Sequence, residues 1–164
     1  MRQIIMGLVA MLLTCCSSEN SVMAEPVLVE VGEQESETSN NMAQKLYLTI
    51  DGVTKSATLE SNTATKELTT RLQQAPVTVS LNSSGGFEIW GSLGFSLPTS
   101  NEQINAGPGD MVLYNGSNIC IFYGTNSWSY TRLGKIDGLL DSELQTFLKA
   151  GERNIQVTLS LTEK

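Results

Sequence analysis

The residues with the most chemical potential in this chain are Glu88, Trp90, Phe95, Tyr123, Trp128, Tyr130 and Arg132: one carboxylate, five aromatic rings and one guanidinium, all but Tyr123 in two stretches. The first stretch, F-E-I-W-G-S-L-G-F-S-L-P at residues 87–98, sets large apolar rings beside Gly91 and Gly94, which permit close backbone approach. The second, residues 124–136, carries Trp128, Tyr130 and Arg132 on what reads as a loop before a short strand. Brought together, these groups would line a cleft. Its aromatic faces would supply contact area and Glu88 would orient an apolar, neutral or cationic ligand, a small molecule or a peptide. In the alternative arrangement Trp90 and Phe95 fill a core, and Glu88 pairs with a backbone amide or with Arg132.

Several chemistries are removed by what the chain lacks. It contains no histidine, so serine–histidine and cysteine–histidine triads are excluded, along with the commonest metal ligand. Of its three cysteines, Cys15 and Cys16 are adjacent near the start and Cys120 stands alone in an apolar run, where it reads as a buried small hydrophobe. No cluster has the spacing of a metal site, and no cofactor is implied. Residues 72–131 hold no Lys or Arg but include Glu88, Glu102 and Asp110, so a cleft built from them cannot clamp phosphate or carboxylate by charge. Carboxylate spacing gives no support for glycoside hydrolysis.

The net charge of −7 argues against a generally basic nucleic-acid binder. That charge is unevenly placed. Residues 17–44 carry six Glu and no Lys or Arg, whereas residues 45–164 carry nine basic and eleven acidic groups, a net of −2. The chain therefore divides into a leader, an acidic tether and a nearly neutral domain.

Residues 1–15 form a signal peptide, with one positive charge and an apolar run too short to span a bilayer comfortably. Its end, L-T-C-C-S-S, resembles the bacterial lipobox. Cys16 is then the lipidated residue, with Cys15 the alternative, and an ordinary cleaved signal with incidental cysteines the other reading. Acyl chains at Cys16 would anchor the protein to the cell envelope, each buried methylene contributing about 0.8 kcal/mol. Ser17 is compatible with sorting to the outer membrane, facing the periplasm or the surface. Residues 16–44, rich in Glu, Ser and Asn, read as a flexible tether, with residues 27–31 as an alternative short strand.

The domain, residues 45–164, is mainly β. Alternating residues 45–50, the turn Asp51-Gly52 and the return over residues 53–60 predict a hairpin. Ser61 or Asn62 caps a helix ending at Pro76, with Ala64, Leu68, Leu72 and Ala75 at helical spacing. A strand at residues 77–82 turns inward at Val77, Val79 and Leu81, and residues 99–110 read as a surface loop. M-V-L-Y and N-I-C-I-F-Y flank Asn115-Gly116-Ser117 as a second hairpin, apolar enough to be buried on both faces. A second helix at residues 139–149 buries Leu140, Leu144, Phe147 and Leu148, and residues 154–161 form the last strand.

Several segments in order carry a resemblance: the hairpin L-T-I-D-G, the helix ending at Pro76, E-I-W-G-S-L-G-F-S-L-P, G-D-M-V-L-Y, F-Y-G, and S-Y-T-R-L-G-K-I. Over residues 45–161 the chain resembles the bacterial cyclophilin-like domain family. That implies a closed β-barrel of about eight strands with two capping helices. Cyclophilins proper are peptidyl-prolyl isomerases whose catalytic arginine, in an F-H-R motif, weakens an amide resonance behind a barrier of about 18–20 kcal/mol. This chain departs there: Phe87-Glu88-Ile89 stands where the motif would need His and Arg, and no arginine lies between Arg71 and Arg132. The leading expectation is therefore a binding module without a catalytic residue. The alternatives are a weak isomerase using Arg132 or Arg71, and a structural or assembly lipoprotein.

Overall fold

The computed structural model describes residues 44–163; the leader, Cys16 and nearly all of the tether lie outside them. The opening hairpin pairs β1 (Lys45–Ile50) with β2 (Val53–Leu59). Asp51 and Gly52 sit at φ 47° and 80°, the left-handed pair required by a two-residue turn that matches the strand twist. Helix α1 (Thr63–Gln74) starts at Asn62, whose side chain accepts from the Thr65 N–H at 3.0 Å while Thr65 Oγ1 accepts from the Asn62 N–H at 3.2 Å. It ends at Gln74, two residues before Pro76, and Ala64, Leu68 and Leu72 face inward.

The chain continues through β3 (Val77–Ser84), β4 (Glu88–Ser92), β5 (Glu102–Ala106), β6 (Asp110–Tyr114), β7 (Asn118–Phe122) and β8 (Asn126–Ile136). It ends with helix α2 (Asp141–Phe147) and β9 (Ile155–Ser160). Eight strands form the antiparallel cycle β1-β9-β3-β4-β7-β6-β8-β2, closed because β2 pairs with β8 as well as with β1. The closed eight-stranded barrel with two helices is the architecture that the resemblance implies.

Asp137 secures the seam just beyond β8. Its carboxylate accepts from Lys45 Nζ, Ser56 Oγ and Thr58 Oγ1, each at 2.8 Å. Partial burial works to raise its pKa, but the bonds from Lys45, Thr58 and Ser56 and the Lys45 charge prevail and hold it below the usual carboxylate range.

Two hydrophobic cores follow from the apolar runs of β6 and β7. Met111, Leu113, Ile119 and Ile121 face the barrel interior with Leu46, Leu48 and the helix residues. The alternate residues Val112, Cys120 and Phe122 face outward, yet are buried against Ile104, Ala106 and Tyr130. That second core exists because β8 serves two partners. Residues 131–135 pair with β6 in the barrel wall, and residues 126–130 leave it to pair with β5. The β5–β8 ribbon therefore lies over the outer face of β6 and β7. At the switch point the buried Thr131 hydroxyl accepts from the Ser100 N–H at 2.8 Å and donates to Asn101 Oδ1 at 2.7 Å.

Three expectations are corrected. Residues 99–110 are not loop throughout. Ile104 and Ala106 are buried while Gln103 and Asn105 are exposed, an alternation that becomes a strand once β8 offers an edge. Residues 124–136 are chiefly the 11-residue strand β8. Helix α2 is shorter than residues 139–149, and Leu140 is not on its buried face: it precedes the helix in extended conformation and is 71% exposed.

A cleft between the barrel and its outer ribbon as candidate functional site

Strand alternation brings the side chains together. Glu88 and Trp90, two residues apart on β4, share the outer face of the barrel, and Trp90 lies directly opposite Cys120 of β7. Asn126, Trp128 and Tyr130 alternate along the ribbon half of β8, on the face that Tyr130 and Ile104 bury against the barrel. Between the two layers lies an open cleft of about 330 Å³, which Ser84 and Tyr114 also line. Of the residues singled out from sequence, Glu88, Trp90, Trp128 and Tyr130 meet there.

The other three do not. Tyr123 is 7% exposed in the barrel core, where its hydroxyl shares a 2.7 Å hydrogen bond with Ser83. Phe95 packs against the same core beneath the Arg71 guanidinium, 4.6 Å from its ring centre. Arg132 pairs with Glu102 across the ribbon, Nε to Oε1 at 3.0 Å. The reason is geometric. Tyr123 lies just past the end of β7, Phe95 lies beyond the end of β4, and Arg132 is past the switch point, in the stretch that pairs with β6.

Four lining residues were not singled out from sequence as cleft groups: Ser84, Tyr114, Cys120 and Asn126. Asn126 was within reach, since it continues the spacing of Trp128 and Tyr130. Cys120 was not, because its place opposite Trp90 depends on strand register.

The walls differ sharply in burial. Trp90 is 38% exposed and Trp128 56%, while Tyr130 and Cys120 beside them are buried. Phe122, Tyr130 and Tyr114 form the rigid base behind them. Tyr130 meets Phe122 edge to face at 5.8 Å and Tyr114 at 6.0 Å, and its hydroxyl accepts from Asn126 Nδ2 at 2.9 Å.

Glu88 is the one charged group among the residues that line the cleft. Its Oε2 is buried and has no hydrogen-bond partner in the protein. Burial raises the Glu88 carboxyl above its usual range, with the neighbouring Cys120 thiol acting in the opposite sense. Burial, followed by the Glu88 charge, pushes the Cys120 thiol up, so it stays protonated and is a poor nucleophile at neutral pH. Burial also raises Tyr130, helped by the same charge and opposed by the Asn126 bond. The arrangement offers two aromatic surfaces and one unsatisfied acceptor, set among groups that hold their protons.

Comparison with curated proteins gives no match. The family model described as the cyclophilin-like family matches residues 48–160, from the first strand to the last. By that match the chain belongs to the cyclophilin-like family.

Proposed function

We propose that this protein is a lipid-anchored cell-envelope binding module, whose cleft takes an apolar, neutral or cationic small ligand or peptide side group without covalent chemistry. The observation that carries this reading is the pairing of two solvent-exposed tryptophans with a buried carboxylate oxygen that has no partner. Exposed indoles cost favourable burial, and a half-buried carboxylate short of donors costs about 1–3 kcal/mol; a bound molecule that covers the rings and donates to the carboxylate offsets both.

The chain contains two tryptophans, and both line this cleft, so intrinsic indole emission reports on it alone. A fragment library of aromatic alcohols, amides and alkylammonium ions, titrated against that emission, should yield a saturable shift. Trp90→Ala and Glu88→Ala should each weaken the best binder by about tenfold or more, the equivalent of about 1.4 kcal/mol, with the far-ultraviolet dichroism of the barrel retained. A library with no saturable binder, or a binder indifferent to both changes, would remove the cleft from consideration.

The anchor is a separate part of the proposal and rests on L-T-C-C-S-S. Metabolic labelling with a fatty acid should mark the protein, and Cys16→Ala should abolish the label where Cys15→Ala does not. Label surviving both changes would refute acylation at this site.

A further inference from the structure

Resting on the binding role just proposed, we infer that the ligand's anchoring group is a protonated amine with at least one N–H, seated against the Glu88 carboxylate beside Trp90 and Trp128. Three observations converge on it. Glu88 is a half-buried carboxylate that lines the cleft and whose Oε2 has no partner in the protein, so the group calls for a donor, and a cationic donor makes the stronger bond in that setting. The two indoles offer electron-rich faces, the surface to which ammonium groups are drawn. No Lys or Arg lines the cleft among the described residues, so Glu88 has no internal counter-ion there. A neutral ligand would leave that charge buried and uncompensated, whereas an ammonium completes the pair. A quaternary ammonium would gain the aromatic contact but offer the carboxylate no N–H.

The pH dependence follows from the same geometry. The titratable groups facing Glu88 are Cys120 from β7, Tyr130 from β8 and Tyr114 from β6. Burial holds Cys120 and Tyr130 in their neutral forms at neutral pH. A carboxyl raised by burial loses its charge as pH falls through its elevated pKa, and amine binding should fall with it. The amine itself stays charged over that range, since alkylammonium groups titrate near about 10.

The test uses three probes of one shape, 2-phenylethylammonium, its N,N,N-trimethyl derivative and 2-phenylethanol, each titrated by tryptophan emission. The primary ammonium should bind about 10- to 100-fold tighter than the alcohol, as expected for gaining a charge-assisted hydrogen bond. It should also bind tighter than the trimethyl ion. Glu88→Gln, which keeps the side chain's size, should abolish both preferences and the acid-side loss of affinity. Trp128→Leu, at an exposed position that the fold does not need, should weaken all three probes together.

If the alcohol binds as tightly as the ammonium, or Glu88→Gln leaves the preference intact, the amine inference is overturned and the cleft remains a site for neutral ligands. A trimethyl ion that binds as tightly as the primary ammonium overturns the N–H requirement. If none of the three gives a saturable response, the amine inference fails; a library fragment that still binds through Trp90 would keep the broader reading.

Discussion

Phe122→Ala is expected to destabilise the domain by about 3–5 kcal/mol, the range for removing a fully buried phenyl ring. Phe122 has no solvent exposure. It stacks on Phe87, with ring centres 6.2 Å apart and planes within 9°, and meets the Tyr130 edge on its other side. The second core contains only six buried residues, with Phe87 and Tyr114 packed at its margin, so few neighbours are there to close the gap. The loss should also be local before it is global. Hydrogen exchange should rise first along Glu102–Ala106 and the ribbon half of β8, while β1 and β9, fed by the barrel core, stay protected. Because Trp128 rides on that ribbon, ligand affinity in the cleft should drop in the same variant. Chemical denaturation that moves by less than about 1 kcal/mol would mean the ribbon is held by its hydrogen bonds to β8 rather than by this core.

The distinction between the two cores explains what could be read from sequence and what could not. The opening hairpin was legible because Asp51-Gly52 and the alternation around it are local signals, and α1 was legible from Asn62, Ala64, Leu68, Leu72 and Pro76 for the same reason. The doubly apolar run of β6 and β7 correctly announced burial on both faces. What it could not announce was the cover. β5 has two apolar residues, Ile104 and Ala106, amid turn-forming neighbours, and it is a strand only because the far half of β8 pairs with it. Missing β5 meant missing the ribbon, and with it the reason that Trp128 and Tyr130 hang over Glu88 and Trp90. Those four residues stood out by type, as a carboxylate and aromatic rings. Phe95 and Tyr123 stood out for the same reason and lie in the core, because residue type does not say which face of a strand, or which side of its end, a ring will occupy.

Gly134→Ala should open the barrel at its closing seam, at an expected loss of about 2–4 kcal/mol. Gly134 lies on β8 opposite Leu59 of β2 and Met111 of β6, the point where three strands meet and where β8 carries a bulge against β6. A Cβ there would come within 2.2 Å of the Thr58 carbonyl oxygen and 3.0 Å of Leu59 Cα. Both neighbours are backbone, so relief cannot come from a rotamer change and must come from separating β2 from β8. The adjacent Lys135→Ala serves as the control. It removes only an ion pair to Asp110 at 2.9 Å from a solvent-facing side chain, and should change stability by about 0.5 kcal/mol or less. The seam also bears on function, since the stretch of β8 from Thr131 to Ile136 anchors the ribbon that carries Trp128. Loosening it should raise exchange at Ala57, Thr58 and Leu59 and weaken probe binding in parallel, although Gly134 touches no residue of the cleft. If Gly134→Ala instead unfolds no more easily than Lys135→Ala, the β2–β8 pairing contributes little to the closed barrel, and the ribbon must be positioned by β6 alone.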